Sequence, residues 1–152
     1  MSLPPFEFLA PETPSGVIDA LGEYGDDALL MAGGLTVMIL LRERLVRPRV
    51  VVSLDKVAGL HGIEVNGEAR VGAMSTHADV ASSAALGDFA SLLPVACSRV
   101  GSPAIRNMGT VGGSVSQGDG ASDVSPALLA LDAEVLAMGP DGARTIPLDA
   151  FF

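Results

Sequence analysis

The spacing of apolar positions changes period several times along this chain, and the changes predict its elements. Phe6 and Phe8 alternate with polar neighbours, which predicts a short strand ending before Pro11. Thr13-Pro14 reads as a helix start, because proline is accepted in the first helical turn. Val17, Ile18, Leu21 and Tyr24 then fall at helical spacing, with Gly25 as the stop. Ala28 to Ala32 is a short continuous apolar run, expected as a buried strand. After Gly33-Gly34 the pattern turns helical, with Val37, Leu40, Leu41 and Leu45 on one face and Arg47-Pro48-Arg49 as its end. Val50 to Leu54 predicts another buried strand. Residues 1–58 therefore read as a small α/β lobe.

A second lobe, 59–152, has a different rhythm. Ile63-Glu64-Val65, Asn66-Gly67 and Glu68 to Ala73 predict a hairpin with a two-residue turn. Ser75-Thr76 is placed to cap a helix from His77 to Ala85. Phe89 to Val100 is expected as a further helix, kinked or bounded at Pro94. Thr110, Val111, Ser114 and Val115 suit short extended segments. Val124 to Leu131 reads as helix, Ala133 to Met138 as strand, and Pro140-Asp141-Gly142 as a turn before Arg144-Thr145-Ile146.

Composition narrows the classes. The net charge is −9, Lys56 is the single lysine, and hydrophobic residues make up 49% of the chain. Such a balance argues against nucleic acid, which requires clustered basic residues. The arginines at 42, 44, 47 and 49 read as a helix end and a solvated turn. One cysteine, Cys97, excludes an intrachain disulfide and reads as packing in an apolar helix. The start MSLPPFEF lacks a leader pattern, and no run reaches the roughly 18 apolar residues of a membrane span. A soluble, cytoplasmic protein is the expectation.

Candidate chemistry concentrates in Ile105 to Asp123, a stretch with five glycines and small hydroxyl residues between ordinary globular sequence. Gly112-Gly113 allows close backbone approach, to a ligand or at a bulge or corner. A second pair, Gly33-Gly34, stands between strand and helix, where it serves either tight packing or an anion at the helix N-terminus. Thr36 would add a donor or cap that helix. Asp123 either caps the helix after it or, with Asp119, accepts hydrogen bonds from ligand hydroxyls. There is no GxGxxG and no P-loop. Gly112-Gly113-Ser114-Val115-Ser116 approaches a nucleophile elbow without its closing glycine, and only His61 and His77 could act as bases. No metal-ligand cluster is visible.

Four blocks in order resemble the FAD-binding medium subunit of the molybdenum hydroxylases, the family of xanthine dehydrogenase and aerobic carbon monoxide dehydrogenase. They are FEFLAPET, AGGLTVMILLRERLVRP, GAMSTHADV and IRNMGTVGGSVSQGDGASDVSPALLALDAEV. The resemblance implies an α+β, two-lobed FAD-binding fold of the PCMH type, with FAD between the lobes. It implies that backbone of Ala32, Gly33, Gly34, Leu35, Thr36 and Val37, and of Gly109, Thr110, Gly112, Gly113 and Ser114, holds the pyrophosphate. Asp119, Ser122 and Asp123 would lie near sugar or ribityl hydroxyls, with Thr76 and His77 in a third contact region. This chain has Leu35-Thr36-Val37 where the family often reads Thr-Asp-Leu, Ser114 for an asparagine, and Gly120 for a proline.

By that resemblance the chain carries electrons from iron–sulfur clusters through FAD to NAD or another acceptor. Its partners would be a molybdenum-cofactor large subunit and a 2Fe–2S small subunit. Family members continue past IPLDAFF into the rest of the second lobe and a C-terminal domain, so the chain reads as truncated. A truncated docking or regulatory module without flavin is the alternative, motivated by the terminal Phe151-Phe152. Gly112→Val is expected to set bulk against the cofactor and leave the chain folded.

Overall fold

The computed structural model describes residues 3–152; Met1 and Ser2, part of the stretch read for a leader, lie outside them. The first lobe follows the order the apolar pattern dictates. Strand β1 (Glu7–Leu9) leads to helix α1 (Pro14–Tyr24), β2 (Ala28–Met31), α2 (Leu35–Arg42) and β3 (Val50–Ser53). Thr13 caps α1 by accepting from the Gly16 N–H, and Gly25 ends it at φ 53°. The three strands form a parallel sheet in the order β1-β3-β2. Central β3 is buried along its whole length, as expected. β2 is not: it is an edge strand, only half-buried, with Leu30 39% exposed. Helix α2 also stops earlier than its apolar face suggested. Arg44 takes a left-handed φ of 57°. Its N–H then bonds the Leu41 carbonyl while the Leu45 N–H bonds that of Leu40, the paired bonds of a Schellman stop.

The second lobe opens with an antiparallel hairpin, β4 (Ile63–Val65) and β5 (Ala69–Val71). Val65 pairs with Ala69, so three residues bridge the strands, where Asn-Gly alone suggested two. Four short helices follow: α3 (His77–Ser82), α4 (Ala84–Ala90), α5 (Leu92–Arg99) and α6 (Pro103–Arg106). The single helix expected over 89–100 is two, broken at Ser91, with Pro94 in the first turn of α5. There the missing N–H would have had no helical acceptor anyway. Then come α7 (Val111–Gln117), α8 (Val124–Ala130) and the antiparallel pair β6 (Glu134–Gly139) and β7 (Gly142–Pro147).

The glycine stretch is the main departure. Val111 to Gln117 forms a helix, not extended segments. Local propensity is overruled by tertiary contact. Thr110 caps α7 by accepting from the Gly113 N–H at 3.1 Å. The Val111 and Gly112 N–H groups bond the carbonyls of Ser75 and Ala73. A Cβ at Gly112 would stand 2.6 Å from the Ala73 Cβ and 2.7 Å from its carbonyl oxygen. This glycine is therefore a packing residue, and the expectation that valine here leaves the fold intact is overturned.

Two apolar clusters organise the chain. One joins Val17, Ala20, Val50, Val52 and Val57; the other is built on Val80, Leu86, Leu93, Cys97, Val111, Val115, Val124 and Leu148. Phe151 packs half-buried against the second, while Phe152 is 55% exposed. Cys97 is buried as expected, and burial pushes its thiol up to about 12.

Gly112→Ala should lower stability by about 1–3 kcal/mol, the usual range for overpacking. Gly87→Ala, in α4 with open space around it, should gain roughly 0.5–1 kcal/mol from helix preference. Urea unfolding of both checks this; a Gly112→Ala midpoint at or above that of the parent chain would contradict the packing role.

Candidate FAD-binding cleft

A cleft of about 630 Å³ lies between the two clusters, within the roughly 300–1,000 Å³ of ligand pockets. The first lobe contributes the turn from β2 into α2. Gly33 can occupy this turn because it has no side chain: a Cβ there would collide with the Met108 carbonyl. Gly34 then takes φ 78°, a left-handed conformation suited to glycine, as the N-cap of α2. No side chain caps this helix. The N–H groups of Leu35, Thr36 and Val37 have no acceptor among the described residues. Thr36 is exposed and caps nothing. The turn thus offers free donors and a helix dipole to the cleft.

The opposite wall is built differently. The Val111, Gly112, Gly113 and Ser114 N–H groups are all engaged, by Ser75, Ala73, the Thr110 hydroxyl and the Thr110 carbonyl. In this arrangement they are not free donors, contrary to the expected symmetry of two backbone cradles. What α7 offers instead is side-chain polarity, through Ser114, Ser116 and Gln117.

Beyond α7, Asp119, Ser122 and Asp123 line the same cleft. Asp119 accepts from the Ala121 N–H at 2.9 Å, which folds the loop. Asp123 occupies the N-cap position of α8 without making a capping bond. Ser122 does that work, accepting from the Val124 N–H at 3.2 Å. Asp123, exposed, keeps its carboxylate for other partners.

His77 stands at the start of α3 and is 2% exposed. Its position is fixed from below by a capping box. The Thr76 hydroxyl accepts from the Asp79 N–H at 3.1 Å and donates to Asp79 Oδ2 at 2.7 Å, while the Thr76 N–H donates to Oδ2 at 2.9 Å. Thr76 is occupied in this way and does not line the cleft; His77 does. His77 Nε2 lies 3.1 Å from Ser114 Oγ. Its Nδ1 is buried without a partner. Burial alone lowers its pKa, so the ring is neutral at pH 7.

A serine beside a histidine raises the nucleophile reading again, and the geometry declines it. Ser114 sits inside α7, not on a strand-to-helix elbow. No acid among the described residues orients His77 Nδ1, and the α7 N–H groups beside Ser114 are already spent.

Every sequence-indicated site residue except Thr76 therefore meets in one cleft. Sequence reasoning missed its apolar lining, which includes Leu29, Leu30, Leu40, Leu54, Val100 and Ile105. Those positions read as ordinary core. No lysine, arginine, phenylalanine or tyrosine lines the cleft. Arg106, beside Ile105, directs Nη1 to the Val100 and Gly101 carbonyls at 3.0 and 2.9 Å. A dinucleotide fits this set: free N–H donors for a diphosphate, hydroxyls and carboxylates for sugar hydroxyls, and apolar walls for rings.

The sequence profile described as the FAD binding domain in molybdopterin dehydrogenase matches residues 4–152. The chain belongs to that family, whose cofactor is FAD. It is 33% identical over 150 residues to the carbon monoxide dehydrogenase medium chain of Hydrogenophaga pseudoflava, covering 98% of this chain and 52% of that one. It is 35% identical over 149 residues to a nicotinate dehydrogenase FAD-subunit of Eubacterium barkeri, covering 97% and 50%. A solved carbon monoxide dehydrogenase from H. pseudoflava, lacking the Mo-pyranopterin moiety of its molybdenum cofactor, superposes with a TM-score of 0.96 at 33% identity. That match covers all of this chain and 53% of the other. Quinoline 2-oxidoreductase from Pseudomonas putida 86 superposes at 0.93 with 30% identity, covering 100% and 55%. The chain spans about half the length of the curated relatives it matches. None of its helices is long and apolar enough to cross a membrane, among the described residues.

The buried His77 gives a pH test. Its folded pKa is lowered from about 6.5, so the unfolded chain takes up a proton more readily than the folded one. Stability is fully present above about pH 6.5 and is lost as pH falls towards the folded value. The melting temperature should fall between pH 7.5 and 5, and less steeply in His77→Gln. Equal slopes would show that His77 is not buried neutral.

Proposed function

We propose that this chain is the flavin-holding part of a molybdenum hydroxylase-type oxidoreductase, with FAD bound along the cleft between residues 1–58 and 59–152 taken as two lobes. The observation that carries this reading is the uncapped start of α2, with three unpaired N–H groups at the cleft. In this reading Leu35, Thr36 and Val37 N–H groups hold the FAD diphosphate, and Gly33-Gly34 let it approach. The hydroxyl of Ser114 completes the diphosphate site. Asp119, Ser122 and Asp123 accept from sugar or ribityl hydroxyls, and the leucines of β2 and α2 exclude water.

No lysine or arginine lines the cleft, so the diphosphate charge would be met by fixed dipoles at contact distance. Such dipoles outweigh the screened net charge of −9. When bound, FAD supplies the electron-transfer chemistry, and the protein supplies position and surroundings. The names of the relatives, several of them medium chains or FAD-subunits of dehydrogenases and one the medium subunit of a hydroxylase, support a place in a multi-subunit enzyme. The partners proposed are a molybdenum-cofactor large subunit and a 2Fe–2S small subunit, with NAD or another acceptor taking the electrons.

Purified chain should bind FAD, with a flavin spectrum and a melting temperature that rises with FAD concentration. Colourless protein indifferent to saturating FAD would overturn the reading in favour of a docking module. Thr36→Glu sharpens the test. A carboxylate in the first turn of α2 should stabilise the free chain by about 0.3–1 kcal/mol. It should weaken FAD binding at least about tenfold, because it competes with the diphosphate for the same donors. Unchanged affinity in that variant would remove the diphosphate from α2.

A further inference from the structure

We propose that His77 is a positioning residue: by donating from Nε2 to Ser114 Oγ it turns the Ser114 O–H outward, as a donor to a phosphate oxygen in the cleft. The inference rests on FAD occupying the cleft and adds a role for His77 in aiming the Ser114 hydroxyl.

The argument is one of accounting for donors and acceptors. A neutral imidazole has one N–H and one bare nitrogen. Among the described residues one group bonds the ring's polar atoms, namely Ser114 Oγ, 3.1 Å from Nε2; Nδ1 is buried with none. If Nδ1 carried the proton, a buried N–H donor would be left with no acceptor, the rarer and costlier of the two orphans. With the proton on Nε2, that donor is satisfied and only a bare nitrogen is unpaired. Ser114 Oγ then accepts from the ring, and its own hydrogen must point elsewhere. It has no other partner among the described residues, not even the Thr110 carbonyl one turn back. Ser114 lines the cleft, so the free O–H faces the ligand.

The ring cannot easily turn away from this task. A Cβ at Gly109 would stand 2.9 Å from His77 Cδ2 and 3.1 Å from Nε2, so the ring lies flush against that backbone. The His77 N–H donates to the Gly109 carbonyl at 2.9 Å, and the Thr76–Asp79 box fixes the turn beneath it. Across the cleft, a Cβ at Gly113 would be 3.7 Å from the Ala32 Cβ. That brings Ser114, the next residue, close to the turn that starts α2. In this proposal one hydroxyl and three N–H groups of the same cleft serve the same anion. The direction of the bond also separates this arrangement from a catalytic serine, whose histidine must accept from the hydroxyl.

The test uses the full chain, with FAD as the titrant and nitrogen-15 NMR of the His77 ring. Ser114→Ala should weaken FAD binding by about tenfold or more, the usual range for a hydrogen bond to a charged group. His77→Met, which removes the donor at similar volume, should weaken binding a few-fold when Ser114 is present and not at all in the Ser114→Ala background. His77→Gln, whose amide N–H can reach the same oxygen, should restore affinity. The ring proton should be on Nε2 in both the free and the loaded protein. A proton on Nδ1 would overturn the inference alone, as would unchanged affinity in Ser114→Ala or equal losses from His77→Met in both backgrounds. A parent chain that binds no FAD would overturn the inference together with the reading beneath it.

Discussion

The structure depends on segments meeting where only glycine leaves room. Gly33 presses on the Met108 carbonyl, Gly112 on Ala73, and Gly109 on the His77 ring. A side chain at any of the three would have to displace a neighbour. Together they bring the β2–α2 turn, the residues before α3 and the start of α7 to one place. The cleft exists because these segments are held so close, and its polar groups are aimed by the same contacts.

This constraint divides the two glycine pairs into different roles. Gly112-Gly113 lets α7 close on Ala73 and Ser75, and the helix satisfies its own first N–H groups inside the protein. Gly33-Gly34 leaves the first turn of α2 unsatisfied at the cleft. An unpaired helix start would be a cost in a buried interface but is suited to an anion. With no lysine or arginine along the walls, recognition of the proposed diphosphate falls to this turn and to oriented hydroxyls. The acidic net charge of the chain is then no obstacle, since what counts at contact is the local dipole.

Much of this was legible in the amino-acid pattern. The strand–helix–strand–helix–strand order over 6–54 followed from period and capping residues such as Thr13 and Gly25. Residues as distant as Gly34, His77 and Asp123 could be assigned to one cleft from the family blocks alone. What was hidden depended on three-dimensional neighbours. Val111 to Gln117 looks extended because valine, serine and glycine are poor helix formers, and only the contact with Ala73 and the Thr110 cap reveals the helix. Leu30 reads as core because a one-dimensional pattern cannot say that β2 is an edge strand. The Ser114–His77 pair joins positions 37 residues apart, and no local signal announces it.

The asymmetry between the two walls is the central claim, and backbone amide exchange followed by NMR with and without FAD tests it most directly. In the free chain the amides of Leu35, Thr36 and Val37 should exchange freely, and FAD should protect them. The amides of Val111, Gly112 and Gly113 should already be protected and should change little when FAD is added. Protection that appears at 111–113 on binding, with none at 35–37, would contradict the account.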